Sequence, residues 1–204
     1  MRALLIHQNE FNKPIVEISD IPIPVPKANE VLIKIHACGL CGHDLAIFNG
    51  LLKRGIKNSI VPGHEFSGTV VALGSSVSKL QLNDKVISAL NVSCGECENC
   101  ALGNDFRCTK SLGIGSEING GMAEFVAIPE TSIIPIPNGI HLLEAALFPC
   151  PIGVAFNAIR NLSSIDVHQN IIIVGAGGGI GTHLLKILAL KHKNIIAITS
   201  SEHK

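Results

Sequence analysis

Four of the seven cysteines of this 204-residue chain fall within one stretch of fifteen residues. They are Cys94, Cys97, Cys100 and Cys108, with the spacing C-x2-C-x2-C-x7-C. Two-residue gaps let successive thiolates turn toward one ion, and Gly95 gives the backbone the freedom for a tight turn. The cluster therefore predicts a loop folded around a common centre, which constrains the fold more than any other part of the sequence.

Apart from disulfides, these cysteines could bind a zinc ion, bind an iron–sulfur cluster or stay as unligated thiols. The start, MRALLIHQNE, does not resemble a signal peptide, so we expect a reduced, cytoplasmic compartment, where clustered cysteines more often bind metal. Zinc takes four thiolates tetrahedrally. The bacterial iron–sulfur run has a final gap of three followed by proline, whereas here the gap is seven and Thr109 follows. Zinc is favoured; an iron–sulfur cluster and unligated thiols stay open.

The composition disfavours several functions. The formal net charge is zero, and Trp and Tyr are absent, so neither a basic surface nor base-stacking aromatics for nucleic acid are expected. No segment approaches twenty unbroken apolar residues, and hence no membrane span is expected.

The first part of the chain has the pattern of a β domain. Short apolar or alternating runs are separated by glycine and proline, as in a barrel or sandwich. The predicted strands are MRALLIH, VLIKIHACGL, FSGTVVALG, DKVISALNV, AEFVAIP and SIIPIP. DIPIPVPKANE is predicted to be extended, because its prolines fix φ.

The pattern changes near residue 141. HLLEAALFPCPIGVAFNAIRNL is predicted to be helical in two pieces, broken around Pro149 and Pro151. A strand (NIIIV), a helix and a strand (NIIAI) then form a βαβ unit with parallel strands, and their continuous apolar character predicts burial on both faces. The predicted fold is mixed α/β, with a β domain over residues 1–149 and one βαβ unit of a coenzyme domain over residues 150–204.

The turn in this unit, VGAGGGIG, predicts dinucleotide binding. Its glycines let the backbone approach a pyrophosphate at a helix N-terminus, and it lies between a strand and a helix, as such a loop requires. The predicted contacts are Gly175, Gly177, Gly178, Gly179, Ile180 and Gly181.

Together these segments resemble the zinc-dependent medium-chain dehydrogenases/reductases of the alcohol dehydrogenase type. GHEFSGTVVALGSSV (residues 63–77) fits that family's signature, CGLCGHDL and FPCPIGVAF resemble its catalytic-zinc segments, and CGECENCALGNDFRC resembles its structural-zinc lobe. The resemblance implies a GroES-like β-barrel catalytic domain followed by the start of a Rossmann domain. It implies hydride transfer between an alcohol or carbonyl substrate and NAD or NADP.

The resemblance also implies roles for individual residues. Cys41, His64 and Cys150 would be catalytic zinc ligands, with Glu65 beside the metal as an exchangeable fourth ligand. Asp44 would orient the ligand histidine. His43 stands where family members have a proton-relaying Ser or Thr, and imidazole can also relay a proton. Val154 stands where a Thr often contacts nicotinamide. Cys38 is left over and is expected only to pack.

Two further expectations concern the coenzyme and the end of the chain. We predict NADP over NAD, because Thr199, Ser200, Ser201 and Lys204 follow the second strand and no carboxylate stands at its end. Family members continue well beyond Lys204. The resemblance therefore implies that this chain alone is a poor dehydrogenase, or none. It also implies a homo-oligomer for a full-length relative. Polyol dehydrogenases, enone reductases and a non-enzymatic zinc-binding fragment stay as alternatives.

Overall fold

The computed structural model describes residues 1–9, 13–160, 166 and 168–200, and the chain divides into two compact units, Met1–Leu147 and Phe148–Lys204. The domain bounds 1–149 and 150–204 stay a prediction, because a compact unit need not fold independently. No helix in the described part of the chain has the length and apolar character that a membrane span requires.

The first unit is built on two antiparallel sheets. One has the order β2-β1-β4, with β1 at Arg2–His7, β2 at Ile15–Asp20 and β4 at Ser59–Ile60. The other has the order β10-β6-β5-β3-β9. Its strands are β3 Glu30–Cys38, β5 Phe66–Leu73, β6 Lys85–Ser88, β9 Phe125–Pro129 and β10 Ile133–Pro135.

The larger sheet curls over the main core. Along β3, Val31 and Ile33 are fully buried while Lys34 and His36 are exposed, as the sequence alternation predicts for a strand with one solvated face. Phe66 and Val70 of β5 pack into the same core. These elements confirm the predicted β domain.

The structure refines the predicted strands at two places. β2 was not predicted, because most of its side chains are exposed and no alternation reveals it. The run DKVISALNV forms two strands, β6 and the short β7 at Asn91–Val92. β7 pairs with β8 at Leu112–Gly113, and this pair closes the loop that carries the four cysteines.

The described residues of the first unit also form three short α-helices, α1 at Gly42–Phe48, α2 at Glu98–Ala101 and α3 at Leu142–Ala145, and two 3-10 turns at Asp105–Arg107 and Glu130–Ser132. α1 follows β3 and begins directly after Cys41, while α2 lies inside the cysteine loop. The predicted break near Pro149 and Pro151 is a π-helical turn, Phe148–Ile152.

The second unit contains α4 at Gly153–Arg160, β11 at Ile171–Val174, α5 at Gly179–Leu188 and β12 at Ile195–Ile198. β11 and β12 pair in parallel, which confirms the predicted βαβ unit. The apolar pattern fits burial on both faces of these strands, but only one face is covered in the described part of the chain. Ile173 packs with Leu188, but Ile172 and Val174 are 60% and 79% exposed, because within the described residues helices pack on only one face.

Candidate functional sites

The first site lies where Cys41 and His64 meet. The Nε2 atom of His64 is 3.3 Å from the Sγ atom of Cys41 and 3.8 Å from the Oε1 atom of Glu65. The ligand atoms of these three residues lie within 4.8 Å of one another. A thiol, an imidazole nitrogen and a carboxylate oxygen directed at one point are the donor types of a catalytic zinc centre.

Asp44 contacts both Cys41 and His64. Its Oδ2 atom accepts a hydrogen bond of 2.9 Å from the backbone N–H of Cys41, while the Cys41 sulfur accepts one from the N–H of His43. The Cys41 side chain also accepts from the backbone N–H of Asp44, and this exchange between Cys41 and Asp44 is the capping box of α1. The Oδ1 atom of Asp44 is 3.8 Å from Nδ1 of His64, so one buried carboxylate faces both candidate ligands.

The backbone around His64 is fixed by close packing. Gly63 has φ +95°, and a Cβ there would meet the Cys38 sulfur at 2.6 Å. The carbonyl of Gly63 accepts a 2.8 Å bond from the N–H of Gly121. The hydroxyl of Ser88 donates to the carbonyl of His64 and accepts from the N–H of Phe66. His64 and Glu65 are therefore held on both sides.

The electrostatics of this site favour a cation. Among the described residues, Oδ1 of Asp44 and Oε1 of Glu65 are buried without a hydrogen-bond partner, which is costly for a carboxylate. Burial raises the pKa of the Cys41 thiol. Burial, and then the charge of His64, lower the pKa of His43. A bound cation would compensate the buried carboxylates and favour the Cys41 thiolate, so the residues fit the implied metal.

The remaining predicted residues of this centre are placed as follows. The ring of His43 stands edge-on to that of His64, with centroids 5.5 Å apart, and its side chain is exposed. Cys150 lies in the π-helical turn of the second unit and Val154 in α4. The roles of these three residues stay predictions.

The second site is the cysteine loop. The sulfur of Cys97 is 3.5 Å from that of Cys100 and 3.9 Å from that of Cys108, and the sulfurs of Cys94 and Cys100 are 4.0 Å apart. A tetrahedron with bonds of about 2.3 Å has edges of about 3.8 Å. A disulfide would need about 2 Å, and an iron–sulfur cluster binds its thiolates through several irons, which separates the sulfurs further. The geometry fits one four-coordinate ion.

Backbone N–H groups prepare these sulfurs to bind a metal. The N–H groups of Cys100 and Thr109 lower the pKa of Cys97 to about 6. The backbone N–H of Cys94 donates to the Cys108 sulfur at 3.3 Å and lowers the pKa of Cys108. Burial and the hydrogen bond with Cys97 raise the pKa of Cys100 to about 12. These shifts favour the thiolate at Cys97 and Cys108 and the thiol at Cys100. A metal requires the thiolate at each ligand.

The glycine turn joins β11 to α5. Gly175 has φ +78°, and a Cβ on Gly181 would collide with the carbonyl of Gly175. Gly178 is the N-cap of α5, whose first N–H groups point out of the helix. A Cβ on Gly179 would meet nothing within 4 Å. The turn thus presents bare backbone and a helix N-terminus, the features that suit a pyrophosphate.

The other predicted coenzyme contacts lie at the end of β12. The N–H groups of Gly175 and Ala176 both donate to the carbonyl of Ile198, so Thr199 and Ser200 follow the strand at the edge where the glycine turn lies. Gly177 and Ile180 belong to the turn and the first helical turn. Ser201 and Lys204 lie outside the described residues. The coenzyme contacts stay predictions.

Two features of the first site escaped the sequence analysis. Ser88 belongs to a strand whose partner is known only once the sheet is formed. The pair Gly120 and Gly121 allows backbone contact, because a Cβ on the first would collide with the carbonyl of Gly63 and one on the second would be 2.5 Å from Phe66. The adjacent glycines in INGGMAEF were the available signal.

Comparison with known proteins agrees with this geometry. Residues 27–138 match the family described as "Alcohol dehydrogenase GroES-like domain". The chain belongs to this family. Its relatives are medium-chain dehydrogenases/reductases, as the sequence motifs predict.

Three relatives illustrate the similarity. The chain is 32% identical to an acryloyl-coenzyme A reductase of Sulfurisphaera tokodaii, over 92% of this chain and 56% of that protein. It is 36% identical to an L-threonine 3-dehydrogenase of Rhizobium etli, over 87% of this chain and 50% of that protein. The cobalt and zinc bound thermostable alcohol dehydrogenase of Pyrobaculum aerophilum superposes with a TM-score of 0.85 at 26% identity. The match covers 100% of this chain and 60% of that structure's chain. The chain spans about half the length of the curated relatives it matches.

Proposed function

We propose that this chain provides the zinc-binding catalytic domain and the first part of the coenzyme domain of an NAD(P)-dependent oxidoreductase that interconverts an alcohol and an aldehyde or ketone. The observation that carries the proposal is the convergence of Cys41 Sγ, His64 Nε2 and Glu65 Oε1, backed by Asp44. The family resemblance adds Cys150 as a third protein ligand. The tetrahedral cysteine loop would hold a second, structural zinc.

The chain's own residues divide the work. Asp44 faces Nδ1 of His64 and so keeps Nε2 free for the metal, as carboxylates behind metal-bound histidines do. A zinc ion bound there supplies a Lewis acid that polarises the substrate oxygen. Glu65 supplies a carboxylate beside the ligands. His43 lies on the exposed side and would carry the hydroxyl proton toward solvent, because imidazole exchanges protons near neutral pH.

The glycine turn would hold the coenzyme pyrophosphate, with the first N–H groups of α5, from Gly179 onward, as donors. Thr199 and Ser200 lie at the strand end where the adenosine ribose is bound in such folds. Two hydroxyls there can hydrogen-bond a 2′-phosphate, which supports NADP over NAD. A preference for NAD in a full-length form of the protein would contradict this assignment.

An acryl-thioester reductase is the second candidate. The observation in its favour is the 32% identity to the acryloyl-coenzyme A reductase over 92% of this chain. Such an enzyme reduces a carbon–carbon double bond with a hydride from the coenzyme, a reaction that needs no alcohol oxygen at the metal. Oxidation of NADPH with acryloyl-coenzyme A, compared with reduction of NADP by short alcohols, separates the two candidates.

Metal analysis and activity test the proposal together. We expect two zinc ions per chain in the purified protein, one ion in Cys97→Ala and one in His64→Ala. The cysteine variant should lose stability, since structural zinc contributes to folding, while His64→Ala should keep its fold and abolish turnover in a full-length form. Two ions in His64→Ala would refute the assignment of the catalytic site.

A further inference from the structure

Gly39 is a residue with no assigned role in the first site. It follows the last residue of β3, and its N–H donates a 2.7 Å hydrogen bond to the carbonyl of Glu65. The preceding residue, Cys38, is paired with Phe66 in the sheet. The backbone of Gly39 is therefore fixed against the backbone that carries Glu65.

The space that a side chain at position 39 would take is occupied by Glu65. A Cβ built on Gly39 would collide with the Oε2 atom of Glu65, and would lie 3.1 Å from its Cβ and 3.3 Å from its Cδ. The other carboxylate oxygen, Oε1, is the one that faces Nε2 of His64 at 3.8 Å. The carboxylate is thus enclosed between Gly39 on one side and the candidate metal ligands on the other.

We infer that Gly39 is a positioning residue: the missing Cβ leaves the slot in which the Glu65 carboxylate stands back from the metal ligands. This inference rests on the proposed function, since it concerns how the carboxylate stands toward a metal. The Glu65 side chain is almost fully buried, and the backbone of residue 39 is tied to that of Glu65. A methyl group at position 39 would therefore displace the Glu65 carboxylate, because the backbone of residue 39 is held in place.

The consequence concerns the open coordination position. Catalytic zinc sites keep one position for substrate, whereas structural sites are closed by protein ligands. With the slot filled, the carboxylate is driven toward the ligand atoms and occupies the position that a substrate oxygen would use. Gly39→Ala should therefore hold metal and yet bind substrate poorly.

The sequence provides a matched control three residues away. Gly42 is the first residue of α1, and a Cβ there would meet nothing within 4 Å. Gly42→Ala makes the same chemical change in the same loop. It should leave both the metal site and the fold as they are.

The experiment uses the whole chain loaded with cadmium-113 and observed by NMR. The wild-type protein should give two resonances, one from the cysteine loop and one from the mixed site. Gly39→Ala should shift the mixed-site resonance by more than its linewidth and leave the loop resonance in place, while Gly42→Ala shifts neither. An unchanged mixed-site resonance in Gly39→Ala overturns the inference. A wild-type protein with only the loop resonance overturns the proposed catalytic site instead.

A double-mutant cycle keeps the steric argument testable without metal. Gly39→Ala should lower the melting temperature of the metal-free protein, and the same change in a Glu65→Ala background should lower it much less, because the colliding oxygen is gone. If Gly39→Ala does not fold, the double variant should. Additive losses, or failure of both variants to fold, would overturn the assignment.

Discussion

Asp44 makes two contacts whose effects can be separated by substitution. Its side chain is 1% exposed, with Oδ2 on the N–H of Cys41 and Oδ1 facing His64. Asp44→Asn keeps an oxygen for the N–H of Cys41 but removes the negative charge behind His64. Asp44→Ala removes both. The two variants therefore distinguish a capping role from a role in metal binding.

The magnitudes follow from the two contacts. Loss of a capping hydrogen bond costs about 1 kcal/mol, so metal-free Asp44→Ala should be less stable than Asp44→Asn by about that amount. Metal-free Asp44→Asn should be at least as stable as wild type, because the buried Oδ1 atom of the charged carboxylate has no hydrogen-bond partner. Loss of a carboxylate behind a ligand histidine weakens metal binding about 10- to 100-fold, or about 1.4 to 2.7 kcal/mol.

The assay combines urea unfolding in the presence of a chelator with competition for zinc against a chromophoric chelator. In both variants, one of the two zinc ions should be bound more weakly than in the wild type. The affinity for the zinc ion in the cysteine loop should not change. Asp20→Asn, at the exposed end of β2, is the control for replacing an aspartate by an asparagine away from the site. If Asp44→Asn binds both equivalents as tightly as wild type, the carboxylate does not support the metal ligand.

Two other predictions test the surroundings of the sites. Ser88→Ala removes one hydrogen bond from each of two buried backbone groups and should cost about 2 to 3 kcal/mol in urea unfolding; an unchanged midpoint would contradict the role of this hydroxyl. In the metal-free protein, alkylation of Cys97 should rise with pH around a midpoint near 6, while Cys100 and Cys38, with pKa values raised to about 12, stay unmodified at neutral pH. Mass spectrometry of the digested protein measures the order, and equal labelling would refute it.

The sequence predicts those parts of the sites that are local in the chain. The four cysteines lie within fifteen residues and the glycines of the turn within seven, so spacing alone indicates their geometry. His64 and Glu65 came from a family motif, because an isolated histidine in an apolar segment carries no such information. Their convergence with Cys41 depends on the pairing of β3 with β5.

Other features could not be predicted because they arise only in the folded chain. The slot at Gly39 and the bridge at Ser88 depend on which backbone lies opposite, and neither residue type is unusual in its own segment. The exposed face of β11 and β12 has a related cause. Apolar residues predict that a strand can be buried on both sides, but what covers it is decided by elements elsewhere.

The order of strands also determines how this protein can form during synthesis. β3 pairs with β9, so that Glu30 lies opposite Pro129, and the larger sheet cannot be completed until β10, which ends at Pro135, has left the ribosome. Pairings this distant in sequence form slowly, because loop closure comes before the contacts that stabilise it. The cysteine loop, closed by β7 and β8, needs only the 23 residues from Asn91 to Gly113, and a shorter loop costs less entropy to close. We therefore expect it to capture its ion while the sheet is still open, and withholding zinc during cell-free translation to reduce the folded yield more than chelation afterwards.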